Sequence, residues 1–368
     1  MSRRSEQSYE SWETRFQATQ LVKVGRTLAE LAETDERIVV ATADLKYATL
    51  VSEFEERHPD RFFQFGIAER NMIGAAAGMA TCGLLPYVST FASFSGLLGY
   101  EGIRTDLAYP HVPVRILATH SGISMGFFST SHHATEDISA LRSVAGLTVL
   151  SPADGTSAAA LLRATVEEPG PIYFRLGRGR EPSVYDELPA TFAPGRPWIA
   201  LEGTDLLIVA TGIMVSNAVT AAEELRTQGI SAAVLDVHTL KPFDAEAIVE
   251  IATMFPAVLV VEEHNTEGGL GTMTAEALAL AGERVPLLKH GIPDEYCIIG
   301  PPAHCYAYYG LDAPGVAVTA SRFLERARAW FDEVDRTCWT ETDRNEVLAT
   351  SRATDRLPPD LSRVGLDG

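Results

Sequence analysis

The chain has 368 residues, 46% of them hydrophobic, and a formal net charge of −19 at pH 7. That length and apolar content suffice for two cored domains, while the acidity argues against a nucleic-acid partner, since phosphate backbones need a basic surface. No apolar run reaches membrane-spanning length, and the opening MSRRSEQSYESWETRF lacks the apolar core of a signal peptide, so a cytoplasmic location is expected.

In chain order, residues 14–32 carry helical spacing and lead to the short apolar strand Arg37-Ile38-Val39-Val40-Ala41-Thr42. Strands are predicted at 85–88, 114–119, 147–151 and 172–175, with helices between them at 71–81, 94–108, 135–144 and 156–168. Short Val/Ile/Leu runs alternating with helices predict an α/β fold whose mostly parallel sheet is covered on both faces. Residues 186–203, with Pro189, Pro194, Gly195 and Pro197, interrupt every period and read as a linker. The rhythm restarts with strands at 205–211, 232–237, 257–262 and 285–290 and helices at 215–228, 245–254 and 273–281. A helical stretch at 317–335 and a polar remainder to Gly368 end the chain. The expected organisation is two doubly wound domains, 14–185 and 204–325, joined by the linker and followed by a tail at 326–368.

The segment Phe65-Gly66-Ile67-Ala68-Glu69-Arg70 places one carboxylate after a turn-forming glycine, at the head of a small-residue helix. Held in a semi-buried crevice, Glu69 is a candidate proton-transfer group. Its plainer role is to complement a helix dipole. In open α/β sheets function gathers at the carboxyl ends of strands. Those positions hold Ala43-Asp44-Leu45, Thr119-His120-Ser121-Gly122, Ser131-His132-His133 and Arg175-Leu176-Gly177-Arg178-Gly179. His132 and His133 as a zinc pair would need a spacing such as HExxH, and adjacent residues on a turn point apart. Glu136 and Asp137 fit the acidic first turn of a helix, a structural role. Phe91 and Phe94 serve either as core or as a platform for a flat ring. Cys82, Cys297, Cys305 and Cys338 form no CxxC pair and read as reduced thiols.

Taken together, FGIAERNMIGAAAGMA, LPYVSTFASF, ATHSGI, SHHATEDISALR, VLSPAD and YFRLGRG resemble the pyrimidine-binding domain of transketolases, in family order. VATGIMVSNA, LDVHTLKPFD, VVEEHNTEGGLG and YGLDAPG look like the transketolase C-terminal domain, so the resemblance covers residues 14–324. It implies thiamine diphosphate chemistry. Glu69 then matches the glutamate that hydrogen-bonds the aminopyrimidine N1′ and favours the imino tautomer, whose 4′-nitrogen deprotonates the thiazolium C2. Phe91, Phe94 and Ile67 match cofactor-contacting positions, while His120, His132 and Arg178 match the substrate channel, with Arg178 as a phosphate grip. Arg15 matches a second such arginine through a gapped alignment.

The family's GDG…N pattern, which binds Mg2+ and the diphosphate, is absent. The chain therefore resembles the C-terminal subunit of a split transketolase. Its expected partner is an N-terminal subunit supplying the diphosphate and metal ligands, with a self-dimer inside an α2β2 assembly. The family's GEDGPTHQ or GEDGPTHH reads Gly126-Phe127-Phe128-Ser129-Thr130-Ser131-His132-His133 here. Phe128 thus stands where the family carries a hydroxyl-binding acid, and a phenyl ring cannot make those bonds. Leu97 replaces a third aromatic, and Ala48 or Thr49 stands where a serine would help to hold phosphate. A specialised or deoxygenated substrate is expected. The competing expectations are a 2-oxo acid dehydrogenase E1 β-subunit and a transketolase-like scaffold without chemistry.

Overall fold

The computed structural model describes residues 20–178 and 182–336. Helix α1 (Gln20–Thr34) buries Leu21, Val24, Leu28 and Ala32, the one-face spacing of an amphipathic helix. Strand β1 (Ile38–Thr42) follows, buried throughout. The first half continues with α2 (Ser52–Arg57), β2 (Phe62–Gln64), α3 (Glu69–Thr81), β3 (Leu85–Phe91), β4 (Arg115–Thr119), α4 (Asp137–Leu141), β5 (Thr148–Leu150), α5 (Gly155–Ala164) and β6 (Ile172–Arg175). The second half has β7 (Trp198–Leu201), β8 (Leu206–Ala210), α6 (Met214–Thr227), β9 (Ala232–Asp236), β10 (Thr239–Lys241), α7 (Ala245–Ala252), β11 (Val258–Asn265), α8 (Leu270–Ala281), β12 (Leu287–Ile292), α9 (Pro302–Tyr308) and α10 (Ala313–Arg336).

These strands make two mostly parallel sheets. One has seven strands in the order β10-β5-β6-β4-β3-β1-β2, the other five in the order β12-β11-β8-β9-β7. Both carry one antiparallel edge, β10 against β5 and β7 against β9. Parallel registers such as Thr42↔Ser89 and Phe91↔Thr119 align the carboxyl ends of β1, β3 and β4 along one edge of the larger sheet. Functional groups in this architecture collect there.

Three departures from the sequence reading have physical causes. The segment expected as a linker over 186–203 ends in a strand, because Trp198 and Leu201 find cross-strand partners in Asp236 and Val234. The halves are also interleaved: β10, from the second half, extends the first sheet, and a three-residue strand carries too little periodicity to be read. Finally, the helix expected over 94–108 is wound more widely at both ends. Residues Ser93–Leu98 and Ile103–Ala108 are π-helical, with Gly99 N donating to Phe94 O and Tyr109 N to Arg104 O. A Cβ at Gly99 would lie 2.5 Å from Ile73 Cδ1, so glycine lets this segment press against α3. Single π turns often mark functional segments.

Two buried polar groups hold the framework. Asp154 caps α5 by a reciprocal box with Ser157, accepting from its N–H at 2.8 Å. Its other oxygen accepts from Val184 N at 2.8 Å and Tyr185 N at 2.9 Å, which fixes the chain leaving the first sheet. Tyr185 then donates to the fully buried Asp236 at 2.8 Å, and burial pushes that carboxyl up to about 8. Among the described residues no helix is long and apolar enough to cross a membrane.

Candidate active site

Glu69 reaches its position through a short sequence of constraints. Phe65 N donates to Thr42 O at 3.0 Å, which carries the line of β2 past the end of β1. Gly66 then turns the chain at φ +68, and no atom lies within 4 Å of where its Cβ would stand. The left-handed backbone, not space, selects glycine there. Helix α3 starts at Glu69 with no side-chain cap on Ala68. Glu69 is only 6% exposed, and among the described residues its carboxylate has no side-chain hydrogen bond or ion pair. Ile67, two residues earlier, is 85% exposed.

The carboxyl ends of β3 and β4, on the sheet edge from which α3 also starts, build an aromatic cluster. Strand β3 extends to Phe91, which is buried and lies 5.6 Å from Phe94 between ring centroids. The His120 ring is 4.3 Å from Phe91. His132 stands 5.2 Å from Phe94 in edge geometry and 5.1 Å from Phe128. The sequence candidates Phe91, Phe94, His120, Phe128 and His132 are therefore one cluster. Phe128 is 53% exposed, so its ring forms the outer wall beside His132. Burial pushes the His132 imidazole below its usual value, which favours the neutral form near pH 7.

Backbone geometry explains how residues twelve positions apart converge. His120 sits at φ +59, and its N–H donates to Gly177 O at 3.1 Å, tying β4 to the end of β6 where Arg178 follows. Gly122 and Ala134 exchange backbone bonds of 3.1 and 2.9 Å, closing the intervening chain into a loop. Ser129, at φ +64, accepts from both His132 N and His133 N. Arg178 lies 3.5 Å from Ser124 O on the same loop. Arg15 and Gly179 lie outside the described residues.

Sequence reasoning missed the group that holds this loop from behind. Glu263, on β11, is 1% exposed and accepts from Ile123 N at 2.8 Å and from the Tyr306 hydroxyl. Gly122, at φ +56, passes so close that a Cβ would lie 2.0 Å from Glu263 Cδ. The signal was present as two adjacent carboxylates in the apolar strand VLVVEEHN. Its neighbour Glu262 accepts from Leu270 N and Gly271 N at the start of α8, and burial pushes it up to about 7. Asp137 proves structural, as read: it is wholly buried and pairs with Arg175 at 3.0 Å. Arg175 also donates to Glu263 O at 2.9 Å, joining the two halves at the back of the site.

Residues 21–182 match the model of the transketolase pyrimidine-binding domain, and residues 198–316 that of the transketolase C-terminal domain. The chain belongs to the transketolase family. It is 37% identical over 300 residues to one of the subunits of the apulose-4-phosphate transketolase of Phocaeicola vulgatus, covering 82% of this chain and 96% of that one. It is also 37% identical to the 6-deoxy-6-sulfo-D-fructose transketolase subunit SqwH of a Clostridium species, over 81% and 92% of the two chains. A solved split-gene transketolase, described as an inactive beta4 tetramer, is 38% identical with a TM-score of 0.73, covering 84% of this chain and 98% of that one. Within the transketolase family, the chain corresponds in extent to these single subunits.

Proposed function

We propose that this chain is the pyrimidine-holding subunit of a two-component, thiamine diphosphate-dependent transferase. It would move a two-carbon ketol unit from a ketose or 2-oxo donor to an aldehyde. The observation that carries this reading is Glu69, a largely buried residue at the start of α3, on the same sheet edge as the Phe91–Phe94 pair. The residues fit the aminopyrimidine half of the cofactor: the carboxylate to accept from a ring N–H, the phenyl rings to stack against a flat heterocycle. When bound, the cofactor supplies the nucleophile and electron sink.

This chain's own residues hold and move protons and shape the entrance. Glu69 accepts a hydrogen bond from the pyrimidine and fixes its protonation. The imidazoles of His120 and His132 donate to or accept from the reacting oxygens, that of His132 in its neutral form. Arg178 grips the anionic end of the substrate, and Phe128 turns an apolar face to a carbon that carries no hydroxyl. The exposed Ile67 fits a cofactor or subunit surface arriving from outside the chain. Among the described residues no cluster of three or more His, Cys, Asp or Glu side chains suits a metal. Mg2+ and diphosphate ligands are assigned to an N-terminal partner subunit, in an α2β2 assembly in the cytoplasm. The names of the two relatives, one acting on a phosphorylated and one on a sulfonated sugar, support a specialised sugar substrate.

The test is reconstitution with a GDG-bearing partner and a screen of ketose, 2-oxo acid and aldehyde pairs. Ketol transfer that is faster with a modified sugar than with xylulose 5-phosphate and ribose 5-phosphate supports the reading. Decarboxylation of 2-oxo acids coupled to a lipoyl carrier, without ketol transfer, would replace it by the dehydrogenase alternative.

A further inference from the structure

Beyond their last paired residues, β4 and β6 stay joined through the segment that carries His120. Leu176 N donates to Ala118 O at 2.8 Å, Ser121 N to Leu176 O at 3.0 Å and His120 N to Gly177 O at 3.1 Å. Successive N–H groups of an extended chain point to opposite sides, so the Gly177 N–H faces away from β4. On that side the sheet has run out. Strand β5, the other neighbour of β6, pairs only as far as Leu150↔Phe174, and Pro152 beyond it has no N–H to give.

Gln20, the first residue of α1, fills the gap. It is 1% exposed; its Oε1 accepts from Gly177 N at 2.6 Å, and its Nε2 donates to Pro152 O at 3.0 Å and to Asp154 O at 3.5 Å. An N–H can only donate and a carbonyl only accept, so the amide fits one way round. The carboxamide thus stands in for one more peptide of β5. Docking of α1 does not depend on it, because that helix buries Leu21, Val24, Leu28 and Ala32 and Lys23 donates to Thr156 at 2.7 Å. His120, by contrast, does need holding. Its backbone sits at φ +59, where residues with a side chain are rare, and its ring lies 4.3 Å from that of Phe91. We propose that Gln20 is a positioning residue: it holds Gly177 where Gly177 fixes the His120 backbone, and so sets the imidazole beside Phe91. The work assigned to that imidazole rests on the ketol-transfer reading of the site.

Hydrogen exchange on the full-length chain, read by mass spectrometry, tests the holding directly. Gln20→Met keeps the shape and removes the hydrogen bonds. Exchange over 118–122 should rise by about tenfold, while α1 and α5 stay within about twofold. Unchanged exchange at 118–122, or an equal rise in α1, overturns the proposal and leaves Gln20 as a helix anchor. Where Gln20→Met does not fold, Gln20→Glu carries the test: its carboxylate still accepts from Gly177 N but cannot donate to Pro152 O. Residues 151–156 should then exchange faster and 118–122 stay within about twofold; the reverse order overturns the proposal. In the complex reconstituted with a GDG-bearing partner, with xylulose 5-phosphate and ribose 5-phosphate, Gln20→Met should lower kcat by about tenfold. In a His120→Ala background the same change should cost less than about twofold, and an equal loss in both backgrounds overturns action through His120. Absence of ketol transfer in the unsubstituted complex, with the exchange pattern as expected, counts against the proposed function and supports the positioning.

Discussion

Gly122→Ala is the sharpest perturbation of the scaffold behind the site. Glycine is required there twice over. The backbone sits at φ +56, where a Cβ costs about 1 kcal/mol. The same Cβ would lie 2.0 Å from Glu263 Cδ, so the carboxylate must move away. Moving it breaks the bond from Ile123 N and disturbs that from Tyr306, and one charge-assisted bond is worth about 1.5–3 kcal/mol. The expected destabilisation is therefore about 3 kcal/mol, measured by chemical denaturation followed by circular dichroism. Glu263→Ala removes the obstacle, so adding Gly122→Ala to it should cost only the backbone share, about 1 kcal/mol. A loss below about 1 kcal/mol in the single variant, or full additivity in the double one, would refute this reasoning.

Three further outcomes follow from the buried polar groups. Asp137→Ala leaves Arg175 buried without its carboxylate and should cost about 3–5 kcal/mol in the same denaturation assay, far more than a surface ion pair. Asp154→Ala removes a helix cap and the acceptor for Val184 N and Tyr185 N; the loss should exceed the roughly 1 kcal/mol of a cap alone and should loosen residues 184–185 to hydrogen exchange. Asp236 and Glu262, pushed up to about 8 and about 7, hold protons in the folded state that the unfolded chain has released, so their contribution is lost as pH rises. His238 and His264, pushed down to about 4, act in the opposite sense as pH falls below about 6.5. The opposing slopes offset at mildly acid pH, and stability should fall between pH 6.5 and 8. Asp236→Asn should flatten that fall; an unchanged slope would show that Asp236 is not its source.

The sequence showed most plainly what depends on local pattern. The runs IVVAT, LLIVA and IYFR announce buried strands, and Gly66 before Glu69 announces a turn into a helix. Motif order then named the family and gathered Phe91, Phe94, His120, Phe128 and His132, which the structure brings within touching distance. What stayed hidden depends on long-range pairing. The strand Thr239–Lys241 is too short to show a period and is ordered by the edge of the other half's sheet. The π turns around Phe94 lie where Gly99 packs against Ile73 of α3, a contact no local pattern announces. Glu263 looked like an ordinary acidic residue because its partners Ile123 and Tyr306 lie 140 and 43 positions away. Trp198–Leu201 was masked by neighbouring prolines that break periodicity without preventing a strand immediately after them.

The central claim is that Glu69 governs the cofactor's protonation, and one substitution addresses it. Glu69→Gln keeps the shape of the side chain and removes its charge. In the reconstituted complex, the exchange rate of the cofactor's C2 proton, measured by quenched-flow deuterium exchange, should fall by at least about a hundredfold. Partner assembly, measured by sedimentation, should be unchanged. Exchange at the rate of the unsubstituted complex, with assembly intact, would contradict the account.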